Sequence, residues 1–187
     1  MPNPVQQARL SRLFDMYNAD HDDYLTEQDF TAHVYKLAEL RGQAPDAPAT
    51  IALANSIHDW WSQMAAMADT DHDGKVSRAE VVAFGEALYA MVQSSTDANA
   101  PYPLDPWIAA LYGVIDGDGD ERITVQEYRD WLTAVGLADD TDVEGAFRGF
   151  DKNEDGYLSR AEFTEISRQF WTNFDPNIPA SRWIGPG

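Results

Sequence analysis

Apolar residues recur at helical spacing in eight stretches of this 187-residue chain, and four polar windows of twelve residues interrupt them. Ahead of three windows the apolar pairs stand three or four residues apart: Phe14 with Tyr17, Leu111 with Ile115, and Phe147 with Phe150. Such spacing lays a buried stripe along a helix. The window at 69 has only Ala65 and Ala68 there, with Trp60, Trp61, Met64 and Met67 enriching the preceding turns. Phe30, Val81, Tyr128 and Phe163 follow the windows and begin the exiting helices. The pattern predicts helix, loop, helix four times over. A long helix is predicted from about Ala49 to Ala68, after a break at 42–48 (GQAPDAP). A second break, at 94–106 (SSTDANAPYPLDP), divides the chain into halves 1–94 and 95–187.

Three windows repeat nearly intact, as DTDHDGKVSRAE (69–80), DGDGDERITVQE (116–127) and DKNEDGYLSRAE (151–162). Each sets oxygen donors at positions 1, 3 and 5, an aliphatic residue at 8 and Glu at 12. A hard cation that takes six to eight oxygens at about 2.3–2.6 Å needs that arrangement, so calcium is the implied ion. The candidate ligands are Asp69, Asp71, Asp73, the Lys75 carbonyl, Ser77 and Glu80; Asp116, Asp118, Asp120, the Arg122 carbonyl, Thr124 and Glu127; and Asp151, Asn153, Asp155, the Tyr157 carbonyl, Ser159 and Glu162. Gly74 and Gly156 supply the sharp turn at position 6, whereas Glu121 in the third window predicts a strained one.

The first window, NADHDDYLTEQD (18–29), is the weak one. It offers Asn18, Asp20, Asp22, the Tyr24 carbonyl and Asp29, with Asp23 in place of glycine. Asp29 is one methylene shorter than Glu, so two-oxygen coordination would need the exiting helix to move inward. Calcium, magnesium held through a single oxygen, and an empty structural loop are the alternatives for it. Position 8 of each loop is expected to pair with its neighbour in a short antiparallel strand, Leu25 with Val76 and Ile123 with Leu158.

Net charge is −19, and the four windows, with 18 Asp and Glu against 5 Lys and Arg, carry −13 of it. The acidity is therefore mostly ligand, and filling sites relieves self-repulsion. Nucleic acid and anionic membrane are poor partners for such a surface. No stretch is long enough to span a membrane, and the opening MPNPVQQARLSRLF lacks a secretory pattern, so a cytoplasmic monomer is expected. There is no cysteine for thiolate chemistry, and the four histidines (21, 33, 58, 72) are too few for a zinc cluster. Every carboxylate pair fit for acid–base work is already used in ligation, so no enzyme is expected. Trp60, Trp61, Tyr89, Trp107, Tyr112, Trp131, Phe170 and Trp171 exceed what two small separate lobes need and predict compact packing of the halves.

The unequal loop spacing, the degenerate first loop, GLADDTDVEGAFRGFDKNEDGYLSRAEF (136–163) and the ending RQFWTNFDPNIPASRWIGPG resemble the sarcoplasmic calcium-binding protein group, including the calerythrin-like proteins of actinobacteria. The likeness runs from about Leu10 to Gly187. It implies an all-α protein of four EF-hand units in two pairs, packed compactly, with one hand often inactive, a C-terminal segment against the body and a calcium-buffering role. A weaker resemblance extends to calexcitin, coelenterazine-binding proteins and photoproteins. Luminescent chemistry there depends on a cavity lined by His, Trp and Tyr; with two interior His candidates, none is expected here. The alternative to a buffer is a sensor that opens a methionine-rich groove to a protein partner. Only Met1, Met16, Met64, Met67 and Met91 are present, which favours the buffer.

Overall fold

The computed structural model describes residues 3–94, 102–139 and 141–184. Its helices are α1 (Pro4–Tyr17), α2 (Glu27–Leu40), α3 (Pro48–Ala68), α4 (Arg78–Ser94), α5 (Asp105–Ile115), α6 (Val125–Ala134), α7 (Val143–Phe150) and α8 (Arg160–Thr172), followed by a 3-10 turn at Pro179–Arg182. The expected long helix is α3, begun by Pro48, whose missing N–H is harmless in a first turn. Residues 95–101 of the expected break between halves lie outside the described residues.

Four short strands join the loops in pairs: β1 (Tyr24–Leu25) with β2 (Val76–Ser77), and β3 (Arg122–Thr124) with β4 (Tyr157–Ser159). The register places Leu25 opposite Val76 and Ile123 opposite Leu158, all of them buried, as the aliphatic position 8 requires. Each exiting helix starts at a Ser or Thr whose hydroxyl bonds the acidic residue three positions on; Thr26–Asp29, Thr124–Glu127 and Ser159–Glu162 are full capping boxes. The residue that ends each loop therefore also starts the next helix.

The core runs continuously through both pairs. Trp60 of α3 lies 6.1 Å from Trp107 of α5, which in turn lies 6.0 Å from Trp171 and 6.4 Å from Trp183. Trp183, 2% exposed, stacks on Trp131 and meets Phe163 and Phe170 edge-on. The Tyr128 hydroxyl donates to the Trp183 carbonyl at 2.6 Å. From α1, Arg9 donates to the Phe170 and Asn173 carbonyls and Arg12 to that of Ile184. The C-terminal segment is thus fastened by the first helix as well as by its own half, and the expected compact packing is observed.

Truncating that plug creates a cavity at the crossing of several elements. Trp183→Ala is expected to lower stability by about 3–5 kcal/mol, while Met91→Ala, at a side chain 56% exposed, should stay within about 0.5 kcal/mol. Urea unfolding of both variants at one fixed metal concentration measures the difference.

Candidate metal centres

Each loop is closed by the carboxylate at its twelfth position. In the second, one oxygen of Glu80 accepts from the Thr70 N–H at 2.8 Å and the other from the Ser77 N–H at 2.9 Å. Glu127 bridges Gly117 and Thr124 in the same way, and Glu162 bridges Lys152 and Ser159. The shorter Asp29 makes the same bridge, between Ala19 at 3.0 Å and Thr26 at 2.8 Å, and is 2% exposed. One methylene less thus still spans the first loop.

Donors at positions 3 and 5 are held by their own backbone. The N–H two residues on donates to Asp20, Asp71, Asp118 and Asn153, and again to Asp22, Asp73, Asp120 and Asp155, at 2.7–3.2 Å. At position 1 the loops diverge. Asp69, Asp116 and Asp151 each accept from the position 6 N–H, of Gly74, Glu121 and Gly156 respectively. In the first loop the Asn18 amide instead donates to the Asp22 carbonyl at 2.6 Å, and its Oδ1 is buried with no donor.

The backbone explains this divergence. Position 6 is left-handed at Gly74 (φ 84°), Glu121 (φ 64°) and Gly156 (φ 89°). Asp23 does not adopt that conformation, so the sharp turn expected there is avoided rather than strained. Glu121 does adopt it, and its turn is strained as expected. The sequence reading missed that position 4 is also left-handed in every loop, at His21, His72, Gly119 and Glu154, with Gly119 as the one clue in the sequence.

Carboxylates gather where the loops are regular. Among the described residues, Asp69, Asp71 and Asp73 bring one oxygen each to within 4.8 Å of one another, and Asp116, Asp118 and Asp120 do the same. The corresponding trio at Asp151, Asn153 and Asp155 contains an amide, whose Nδ2 donates to Asp155. All donors are oxygens, the set that hard divalent cations select. Bonding to the Ser77 N–H pulls the Glu80 carboxyl down to about 2, with burial opposing and Thr70 assisting. For Glu162 burial acts upward but is outweighed by donors on Ser159, Lys152 and Asn153, leaving the group lowered. A lowered carboxylate stabilises the fold above its ordinary range, so both contributions are complete at neutral pH and fade in acid, for Glu80 as pH falls toward 2. Burial raises the Asp116 carboxyl, against bonds from Gly119 and Glu121.

Two residues outside the windows tie helix ends together. Arg41, at the end of α2, donates to the Val114 and Ile115 carbonyls at 3.0 and 2.5 Å and so caps α5 just before Asp116. The His33 ring nitrogens lie 3.1 Å from the Tyr17 carbonyl and 3.0 Å from that of Ala134, joining the ends of α1 and α6. Neither role carries a sequence signal, because each partner is a backbone carbonyl in a distant segment.

The EF hand family model matches residues 66–84 and 143–167, the two loops that keep glycine at position 6. Those two segments are EF hands by this match. The chain is 29% identical over 176 residues to the sarcoplasmic calcium-binding protein beta chain of Penaeus sp., covering 91% of this chain and 90% of that one. It is 26% identical over 170 residues to calerythrin of Saccharopolyspora erythraea, covering 91% and 94%. Among solved structures, the coelenterazine-binding protein from Renilla muelleri in its calcium-loaded apo form aligns over 100% of both chains, with a TM-score of 0.74 and 18% identity, a likeness of fold. The resemblance to the sarcoplasmic calcium-binding and calerythrin group therefore holds along nearly the whole chain.

Turn chemistry at position 6 is open to a direct check. A Cβ at Gly156 meets no neighbour within 4 Å, so Gly156→Ala reads the cost of its left-handed backbone, about 1 kcal/mol of lost stability once the smaller freedom of alanine in the unfolded chain is subtracted. Glu121→Gly should act oppositely, adding up to about 1 kcal/mol once the extra freedom of glycine in the unfolded chain is subtracted. Urea unfolding of the metal-free proteins reads both signs.

Proposed function

We propose that this protein is a reversible calcium store with three well-formed sites in the second, third and fourth loops and a weaker first one. The observation that carries this reading is the common bridge by Glu80, Glu127 and Glu162, which presets each loop around converging oxygens. The ligands are those named from the sequence. Loop carboxylates and the carbonyls of Lys75, Arg122 and Tyr157 replace the water shell of the captured ion. The terminal Glu ties its exiting helix to the filled loop. At the first loop the buried, unpartnered Oδ1 of Asn18 is an available donor, while the displaced turn at Asp23 and the short Asp29 favour a smaller ion such as magnesium, or none. The chain acts as two pairs, 1–94 and 95–187.

Storage rather than sensing is favoured by the continuous aromatic core. The halves are joined through Trp60, Trp107 and Trp183, so opening a pair would expose rings that are packed against the other pair. Met67 and Met91 are exposed but on different helices, α3 and α4, which is thin material for a partner groove. No helix of the described residues is long and apolar enough to cross a membrane. A monomer in the cytoplasm, without catalytic activity, fits this role.

Calorimetric titration of metal-free protein with calcium, repeated in excess magnesium, is expected to show three sites of submicromolar affinity. An anionic apolar-surface dye should stay unchanged or dim as calcium is added. Glu162→Gln should remove one site and leave the other two; a variant titrating like its parent would sink the ligand assignment. Micromolar cooperative binding with a rise in dye fluorescence would instead make the protein a sensor.

A further inference from the structure

At position 2 the third loop has Gly117, where the other loops carry Ala19, Thr70 and Lys152. A Cβ at Gly117 would lie 2.6 Å from Arg41 Cζ and 2.9 Å from its Nε and Nη1, so the missing side chain is the space that the guanidinium fills. Gly117 has no positive φ, so glycine supplies room there rather than backbone freedom. Arg41 reaches this place from the far half. It is the residue that follows α2, and it donates to the Val114 and Ile115 carbonyls at 3.0 and 2.5 Å. Those carbonyls end α5, and the next residue, Asp116, is the first candidate ligand of the loop. The acids whose charge the half-buried guanidinium feels are Glu127, Asp130, Asp116 and Asp118. Three of the four are candidate ligands of the third loop.

From this juxtaposition we infer that Arg41 is a resident cation of the third site, lent by the N-terminal half, which lowers the calcium affinity of that site below what its ligands alone would give. Two effects act in the same direction. In the empty loop a permanent positive charge relieves part of the repulsion among the carboxylates, which leaves less for calcium to relieve. When calcium enters, the guanidinium stays, because two carbonyl bonds hold its planar fork and it keeps its charge at neutral pH. It then faces a doubly charged ion of like sign. Lys152 in the fourth loop is also a cation at position 2, but it is exposed on a flexible stem and can swing into solvent. Because the charge comes from the end of α2, the two halves are linked: α2 tempers the third site, and an ion in the third site weakens the hold of α2 on α5. This inference rests on the reading that the third loop takes calcium.

The test uses full-length protein and calcium alone, divided among the loops by a competing chelator. Amide NMR signals of Gly74, Glu121 and Gly156 report the second, third and fourth loops separately, since each N–H bonds the first ligand of its own loop. In Arg41→Met the third loop is expected to gain about fivefold in affinity against the fourth, the worth of one charge facing a doubly charged ion across a solvated loop. Arg41→Lys keeps the charge without the planar fork and should stay within about twofold of the parent. The gain in Arg41→Met should shrink as salt is raised from about 0.05 to about 0.5 M, which loss of a purely mechanical brace would not do. Gly117→Ala, which pushes the guanidinium aside, should raise the affinity too, and the double variant should gain no more than Arg41→Met alone.

An unchanged or lowered third-site affinity in Arg41→Met, or a gain indifferent to salt, would overturn the inference. A Glu121 signal that never responds to calcium in the parent protein sinks the storage reading for that loop as well. A signal that responds, with no gain in the variant, sinks this inference alone. If Arg41→Met does not fold, Gly117→Ala decides on the same terms.

Discussion

The carboxylate at position 12 of each loop is the constraint on which the rest depends. Its two oxygens hold the N–H groups of positions 2 and 9, so one side chain sets the loop diameter, caps the exiting helix and fixes where the strand residue at position 8 falls. Because Leu25, Val76, Ile123 and Leu158 then meet in pairs, closure of one loop positions the next. Charged acceptors bonded by backbone N–H groups are strong and short, which allows a polar, solvated loop to have a definite shape. The acidic donors inside it are held close together in spite of their repulsion, and that repulsion is what a divalent cation relieves.

Joining the halves is a different kind of problem, met by side chains reaching across it. Arg41 caps the helix that enters the third loop from the far half, His33 spans two helix ends, and Arg9 and Arg12 bind the carbonyls of the C-terminal segment. Burial lowers the Arg9 and Arg41 guanidinium groups, Arg9 against the pull of Asp175 and Arg41 against Glu127 and neighbouring acids. Both keep their charge at neutral pH, since guanidinium titrates far above it. Helix ends with unpaired carbonyls are natural seats for cations.

Much of this was legible in the residues. The three regular loops, the position 8 pairs, the long α3 and the compact packing follow from local spacing and from an excess of aromatics, and local signals survive in any tertiary context. The cross-half ties were not legible, because a backbone carbonyl leaves no mark on the sequence that bonds to it. The first loop shows the same limit in miniature. Asp23 reads as a cost at a left-handed turn, yet the chain takes another turn there. Asp29 reads as short for two-oxygen coordination of an ion, and its reach to the N–H groups of Ala19 and Thr26 is a separate property that the spacing does not foretell. A substitution changes the geometry around it, and a pattern written for fixed geometry misjudges the result.

That first loop is best understood through its partner. Its strand is paired with the second loop, and its flanking Tyr17 and Phe30 pack on Trp60, just ahead of Asp69 along α3. The Asn18 amide, donating to the Asp22 carbonyl, braces the loop from within, and Asp29 closes it. A loop held in this way by its own hydrogen bonds keeps Leu25 opposite Val76 whatever ion it holds. The strand partner of the second loop is then already in place, and the ordering cost of the pair is met in folding. An irregular loop paired with a regular one is in this structure a means of preorganisation, which is a reason for it to persist inside a regular fold.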